Sequence, residues 1–246
     1  MAINHIQMNP ENNLPEKVIS ELKSVSDKEK ALFLPRFFKT GKGEYGEGDH
    51  FLGIQVPQQR IIAKKFLPAI EEKDLKTLIA SPFHEVRLTA LFMLVAKFEK
   101  SKSGEEKRLW VDFYLNNRSF VNNWDLVDSS AHQILGSWLY DKDRTPLYEL
   151  ANSNNLWDQR MAIISTYYFI RKNDFEDTLK IAEILLFHPH DLIHKAVGWM
   201  LREVGKRDFE TEYGFLEKHY KKMPRTMLRY AIEKFEPQVR EMFLAK

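Results

Sequence analysis

Two short stretches of the chain combine aromatic and charged side chains at helical spacing. In the first, Trp124 and Asp128 lie four residues apart in a segment that reads as a helix, so both side chains share one face. Val127 lies at the apolar edge of that face, and a carboxylate in such surroundings is partly desolvated. Asp128 therefore either forms a structural salt bridge, with Arg160 as one candidate partner, or meets a cationic ligand. The sequence alone leaves both interpretations open.

The second stretch is the predicted helix 190–206, in which Trp199 stands among cations. Lys195, Arg202 and Lys206 fall on the same side of this helix as Trp199, opposite its apolar face. An exposed indole among cations suits a nucleic acid, because rings stack on bases or sugars while cations hold phosphates. The alternative is that the indole packs against a neighbouring repeat and the cations are only solvated.

Helices must position these residues, because apolar residues recur at spacings of three and four along most of the chain. Breakers support the helix boundaries, for example Pro57 near one start and Pro189 between two helices. No segment alternates as a strand does, and a Gly-rich stretch at 41–48 predicts a loop. The predicted helices span residues 15–25, 28–39, 57–70, 73–80, 84–99, 104–117, 123–140, 145–152, 156–171, 174–186, 190–206, 208–221, 225–234 and 236–244.

Basic residues near the starts of several helices mark an internal repeat. Arg87, Arg160, Lys195 and Arg229 are each followed by a small residue and then by apolar ones, and Trp124 occupies the equivalent place in the second of five repeats. Successive members of this series are 34 to 37 residues apart, which is the period of a two-helix repeat.

This period predicts an all-α fold, a right-handed α-solenoid of HEAT or armadillo-like helical repeats. We expect one domain over residues 1–246, with residues 1–10 as a flexible N-terminus. Equivalent positions in successive repeats line one surface, usually the concave one. The basic members would then form a cationic row in a concave groove, which suits a phosphate backbone.

Composition narrows the classes of protein that remain. The chain has 246 residues, a formal net charge of +2 and no cysteine, which excludes a disulfide framework and a cysteine nucleophile. No apolar run approaches the roughly 18 residues of a membrane helix, and the first residues do not form a secretory signal. We therefore expect a soluble intracellular protein that is not membrane-bound.

The one cluster of histidines does not make a convincing metal site. His190 and His194 lie one helical turn apart, with His188 nearby, but only Asp191 offers a carboxylate beside them. A surface or capping role is the more ordinary use of such a pair. We expect neither a metal nor another cofactor.

The residues singled out above occur in stretches that resemble the AlkD family of bacterial DNA alkylation repair glycosylases, which are HEAT-like repeat proteins. Their order and approximate spacing match that family over residues 30–240. The matching stretches are Phe51-Leu-Gly-Ile-Gln-Val-Pro-Gln-Gln-Arg60, Trp124-Asp-Leu-Val-Asp128, Asn155-Leu-Trp-Asp-Gln-Arg160 and Lys195-Ala-Val-Gly-Trp-Met-Leu-Arg202-Glu.

The resemblance implies a DNA repair enzyme of the base excision kind, acting on double-stranded DNA that carries alkylated purines. Such an enzyme hydrolyses the N-glycosidic bond of N3- or N7-alkylated purines and, unlike most enzymes that act on bases, does not flip the lesion into a pocket. Within the bacterial cytoplasm it would work on the nucleoid, and because such enzymes need no partner we expect a monomer.

The resemblance also implies roles for particular residues. The family's catalytic cluster falls on Trp124, Asp128 and Trp199. Its backbone-binding arginines fall on Arg160 and Arg202. Gln55 falls in a family segment near the DNA, and Lys195, Arg87 and Arg229 of the cationic row complete the expected DNA contacts.

The implied chemistry is physically reasonable. An N3- or N7-alkylated purine is already cationic, so it leaves without a general acid, and the sugar becomes an oxocarbenium-like cation. The Asp128 carboxylate could stabilise that charge and orient the attacking water, and the two indole faces could stabilise it as well. No lysine nucleophile is needed, so we expect no strand cleavage. The rival hypothesis is a non-catalytic HEAT scaffold that binds DNA or a protein partner.

Overall fold

The computed structural model describes residues 13–245. This part of the chain is all-helical and contains no β-strand, with one isolated bridge between His50 and Phe83. The all-α prediction is therefore confirmed. The predicted flexible N-terminus, residues 1–10, lies outside the described residues. Among the described helices, none is both long and apolar enough to cross a membrane.

The described residues form two compact units, of which the first ends at Ser101 and the second begins at Lys102. Each is described by itself below, and the single repeat domain expected from the sequence stays a prediction. The helices of the first unit are α1 (Leu14–Ser24), α2 (Lys28–Phe38), α3 (Val56–Phe66), α4 (Glu72–Ile79) and α5 (His84–Lys100).

Helix α5 is the centre of the first unit, because most of its length is buried. The buried carboxylate of Glu85 accepts hydrogen bonds from the backbone N–H groups of Leu52, Gly53 and Ile54 at 2.8 to 3.3 Å. Gly53 has a φ of +78°, and a Cβ at this position would collide with the backbone of α2 and its N-cap. These contacts fix the turn that leads into α3.

The second unit contains eleven helices in its described part. They are α6 (Gly104–Asn116), α7 (Trp124–Asp128), α8 (Ser137–Leu139), α9 (Thr145–Ala151), α10 (Leu156–Ser165), α11 (Tyr167–Ile170), α12 (Glu176–Ile184), α13 (Asp191–Gly205), α14 (Phe209–His219), α15 (Arg225–Ala231) and α16 (Pro237–Leu244).

One layer of the second unit carries the residues of interest. Helix α10 packs against α7 on one side and against α13 on the other, and α13 packs in turn against α15. Helices α9, α12 and α14 contact this row from outside it. Helices that are not consecutive in the chain thus pack side by side, as a stack of helix pairs requires, while the right-handed HEAT arrangement stays a prediction.

Glycines allow the closest approaches within this row. At Gly198 of α13, a Cβ would collide with the backbone oxygen of Met227 and with the Cβ of Tyr230 on α15. At Gly136, a Cβ would collide in the same way with the backbone oxygen of Ser165 on α10. At these two positions the backbones of neighbouring segments therefore approach each other closely, which sets their spacing.

Two predicted helices are interrupted in the structure. The predicted helix 123–140 divides into α7, a π-helical turn at His132–Gly136 and α8. The hydroxyl groups of Ser129 and Ser130 bond back to the carbonyl oxygens four residues earlier, which competes with the regular helical ladder. The predicted helix 156–171 ends at Ser165 and resumes as α11, and Thr166 similarly bonds back to a carbonyl oxygen of the preceding turn.

Candidate active site

Asp128 is the last residue of α7 and forms a bidentate ion pair with Arg160 of α10. The Nε and Nη2 atoms of Arg160 each donate a hydrogen bond of 2.8 Å, to Oδ1 and Oδ2 of Asp128 respectively. Its third nitrogen, Nη1, donates to the carbonyl oxygen of Leu192 in α13 at 2.6 Å. Arg160 therefore ties together three successive helices of the row. The salt bridge that the sequence left as one alternative for Asp128 is thus present.

The two partners differ in their access to solvent. The side chain of Arg160 is 6% exposed, whereas that of Asp128 is 18% exposed. A bidentate pair uses one lone pair on each carboxylate oxygen, so the remaining lone pairs can accept further hydrogen bonds. Asp128 can therefore contact a ligand through its exposed part while Arg160 binds both of its oxygens.

Burial raises the pKa of Asp128, and the Arg160 guanidinium opposes this rise. As an anion, this carboxylate is held in a partly dry place by one buried cation. Such an anion interacts more strongly with a cationic ligand than a solvated carboxylate does, because less water screens it.

The two predicted catalytic tryptophans are both half-buried in the second unit. Trp124 begins α7, whose N-terminus is capped by the Asn123 side chain at 2.9 Å from the Trp124 nitrogen. Trp199 lies on α13, where its indole Nε1 donates to Oε1 of Glu203 at 3.1 Å. This hydrogen bond spans one helical turn and fixes the edge of the indole ring.

Two aromatic residues that the sequence analysis missed lie between these helices. The ring of Tyr167 on α11 has its centroid 6.1 Å from that of Trp199 and 5.2 Å from that of His132. His132 follows Asp128 by four residues and Trp124 by eight, a spacing that was available as a signal for His132. Tyr167 had no such signal, because it follows the helix break at Thr166.

His132 contributes a neutral ring to this row. Burial and, to a smaller extent, the nearby cation Arg171 together lower its pKa to about 4. The three rings of His132, Tyr167 and Trp199 form a continuous aromatic row that connects the helix turn after Asp128 to α13.

The structure corrects the expectation of an exposed cationic row at Arg87 and Arg160. Arg87, in the first unit, is only 4% exposed, and it donates to Oδ1 of Asp49 at 2.6 Å and to the carbonyl oxygen of Ser81 at 3.0 Å. The guanidinium group of Arg87 is therefore bonded within the first unit, and that of Arg160 is bonded to Asp128 within the second. Neither group lines an open surface, so neither enters our proposal as a phosphate contact.

The two predicted DNA-binding cations on α13 are accompanied by carboxylates. Arg202 is mostly buried and pairs with Glu233, while its Nε lies 3.8 Å from an oxygen of Glu203. Lys195 is 2.7 Å from Asp191, one turn earlier on the same helix, and its side chain remains substantially exposed. Partial neutralisation weakens both as phosphate contacts, and their DNA-binding role stays a prediction.

The other two predicted DNA contacts are exposed. Arg229 lies on α15 of the second unit, and Gln55 is the residue before α3 in the first unit. Both side chains are accessible to a ligand, and their role stays a prediction.

The histidine cluster serves local structure. His190 caps α13 through its ring Nδ1, which accepts from the backbone nitrogen of Leu192 at 3.1 Å. His188 accepts from the backbone nitrogen of His190 at 3.0 Å, and its other ring nitrogen is 2.8 Å from Oε1 of Gln159. Over residues 13–245, no group of three or more histidine, aspartate or glutamate side chains is placed to hold a metal ion.

Comparison with known proteins agrees with this architecture. The solved structure of a protein described as a "predicted DNA alkylation repair enzyme" from Enterococcus faecalis superposes with a TM-score of 0.66 at 18% sequence identity, covering 86% of this chain and 97% of that one. At this identity the likeness shows a shared fold. No curated protein matches significantly. The family described as DNA alkylation repair enzyme matches residues 18–235, which is most of the chain. The resemblance stated from the sequence is thereby confirmed, and the protein belongs to the DNA alkylation repair enzyme family.

Proposed function

We propose that this protein is a monofunctional DNA glycosylase that hydrolyses the N-glycosidic bond of N3- or N7-alkylated purines in duplex DNA. The observation that carries the proposal is the carboxylate of Asp128, which is held by a buried arginine yet keeps an accessible edge. Trp124 precedes it by one helical turn, and the aromatic row ending at Trp199 begins one turn after it. Membership of a DNA alkylation repair family supplies the class of substrate.

The reaction needs little from the protein beyond charge stabilisation. The bond between the sugar C1′ and the purine nitrogen breaks, and its electron pair neutralises the cationic base. The positive charge passes to the sugar, where the Asp128 carboxylate and the faces of Trp124 and Trp199 stabilise it. Water then adds to C1′ and loses its proton to Asp128 or to solvent. The strand stays intact, because no amine forms a covalent bond with the sugar.

Arg160 acts as a positioning residue in this scheme. It touches neither base nor sugar, but its fork fixes both oxygens of Asp128 and keeps the carboxylate ionised in a partly buried place. Without it, the cost of burying an unpaired charge would favour the protonated acid, which cannot stabilise a cation.

We place the reaction on the surface of the helix row, without extrusion of the base into an enclosed pocket. Half-burial of Trp124, Asp128 and Trp199 supports this, since each keeps an accessible part. We infer that the helix pairs of the second unit are HEAT-like repeats and that the row forms their DNA-facing groove. A monomer in the cytoplasm, without a cofactor, suffices for this chemistry.

A non-catalytic scaffold for DNA or a protein partner is the second candidate function. The Asp128–Arg160 pair favours it in one respect, because an ion pair between neighbouring helices also serves structure alone. A scaffold has no need of two half-buried indoles on the helices that Arg160 joins. The two candidates differ in whether base is released.

The experiment is incubation of the protein with methylated duplex DNA, followed by chromatography of the released bases. The proposal predicts release of 7-methylguanine or 3-methyladenine, and strand breaks that appear only after alkaline treatment of the abasic sites. Binding without release would favour the scaffold. Strand breaks without alkali would contradict the monofunctional mechanism.

A further inference from the structure

An open pocket of about 430 Å³ adjoins the aromatic row in the second unit. It is built from residues of α11 and α13 and of the turns that follow them. The residues lining it are Tyr167, Arg171, Asn173, Glu203, Lys206 and Arg207.

The charges in this pocket do not balance. Its one carboxylate, Glu203, lies 2.6 Å from Nζ of Lys206, and these two charges offset each other. Arg207 donates from Nη1 to the amide oxygen of Asn173 at 3.0 Å, which orients its guanidinium but leaves its charge uncompensated. Arg171 is exposed and pairs with no carboxylate in residues 13–245. The pocket therefore holds two guanidinium groups in excess of its acidic groups.

The backbone supports this arrangement at one position. Asn173 has a φ of +59°, a left-handed conformation that asparagine tolerates better than most residues. Its backbone nitrogen donates to the carbonyl oxygen of Ile170 at 2.9 Å and closes the turn after α11. This turn places the side-chain amide where it holds Arg207.

Two residues belong both to the pocket and to the candidate active site. The Tyr167 ring packs beside Trp199, and Glu203 accepts the hydrogen bond from the Trp199 indole. If one sugar of a DNA strand lies against Trp199, a phosphate group about one nucleotide away from that sugar would therefore reach this pocket.

We propose that this pocket, named here the Arg171–Arg207 pocket, binds a phosphodiester group of the DNA strand that carries the alkylated base. A guanidinium group matches two phosphate oxygens at once and is less strongly hydrated than an ammonium. The inference rests on the proposed function for its choice of DNA as the source of the phosphate, and it adds two contacts that sequence repeats did not indicate.

The test is the salt dependence of binding to undamaged duplex DNA, for the wild type and for the double variant Arg171→Gln with Arg207→Gln. Loss of one phosphate contact should lower the slope of log K against log salt by about 1. Affinity at low salt should fall about 10-fold, as expected for loss of charge-assisted hydrogen bonds. The matched control is Arg108→Gln, an exposed arginine on α6 that does not line the pocket, which should leave the slope unchanged.

Equal slopes for wild type and double variant would overturn the inference, as would failure of the wild type to bind duplex DNA at low salt. Inorganic phosphate at constant ionic strength should weaken DNA binding by the wild type more than by the double variant, because it competes for the same guanidinium groups. Phosphate that binds the wild type but leaves its affinity for DNA unchanged would identify a free-phosphate site and overturn the DNA assignment. Base release by the wild type separates the two proposals. Release with unchanged slopes refutes only the pocket, whereas altered slopes without release refute only the glycosylase.

Discussion

Replacement of Arg160 by glutamine should move the acid limit of catalysis to higher pH. The substitution removes the only cation that forms an ion pair with Asp128 in the described chain, while glutamine can still donate one hydrogen bond. Burial already raises the pKa of Asp128, and the guanidinium group opposes that rise. Without the guanidinium, the pKa of Asp128 must rise further.

The size of the shift follows from the geometry of the pair. Two unit charges about 4 Å apart interact by about 4 kcal/mol at an effective dielectric constant of about 20, which corresponds to about 3 pKa units at 1.36 kcal/mol per unit. Solvent reaches the 18% of the Asp128 side chain that is exposed, so the acid limit of the rate profile should move up by about 1–3 pH units. Since the ionised form of Asp128 is the active one, activity falls as pH falls through its pKa, and this fall begins at a higher pH in the variant.

The assay is single-turnover release of 7-methylguanine from duplex DNA across a pH series, with spontaneous depurination subtracted at each pH. Arg160→Lys is the control, because it keeps the positive charge but loses the bidentate geometry. We expect the lysine variant to be slower than wild type at every pH, with an acid limit close to that of the wild type. An Arg160→Gln profile that is merely lower, with its acid limit unmoved, would refute the electrostatic role of Arg160.

Three further predictions concern the second unit. Glu212 is buried and its pKa is raised to about 9 by burial, so between about pH 5 and 8 the unfolded state releases a proton that the folded state keeps. The free energy of unfolding of the wild type should therefore fall, relative to Glu212→Gln, by about 1.4 kcal/mol per pH unit as pH rises, and parallel pH profiles in urea would contradict this. Gly198→Ala should destabilise the fold by about 1–3 kcal/mol, since the alanine Cβ would collide with the Met227 carbonyl oxygen. An unchanged urea midpoint would show that α13 and α15 move apart without cost and would contradict this prediction. Trp199→Ala should slow base release about 10-fold, in the range of a cation–π contact, and Trp199→Phe less so; equal rates for the three proteins would remove the indole from the mechanism.

Local sequence patterns were enough to predict most helices to within a few residues. The helix α5 was expected at 84–99 and spans His84–Lys100, because its apolar residues and its flanking breakers are all local. The interruption after Asp128 was missed, because it depends on where the hydroxyl groups of Ser129 and Ser130 bond, and helical periodicity does not register that choice.

The candidate site was predictable in its residue types but not in its pairings. The spacing of Trp124 and Asp128 placed them on one face, but it left open whether Asp128 pairs with Arg160, 32 residues further along the chain. Repeat periodicity placed Arg87 on a surface, whereas Asp49, in a loop 38 residues earlier, draws its guanidinium group into the interior. Such long-range partners are set by tertiary packing, which a single sequence does not display.

The central claim is that the ionised carboxylate of Asp128 stabilises the sugar cation, and Asp128→Asn tests it most directly. Asparagine keeps the size of the side chain and one acceptor oxygen for Arg160 but removes the negative charge. The measurement is the single-turnover rate of 7-methylguanine release at saturating protein, with DNA affinity measured in parallel. We predict a loss of at least about 100-fold in rate, in the range found when one electrostatic stabiliser of a transition state is removed, with DNA still bound. Release by Asp128→Asn at the wild-type rate would contradict the account.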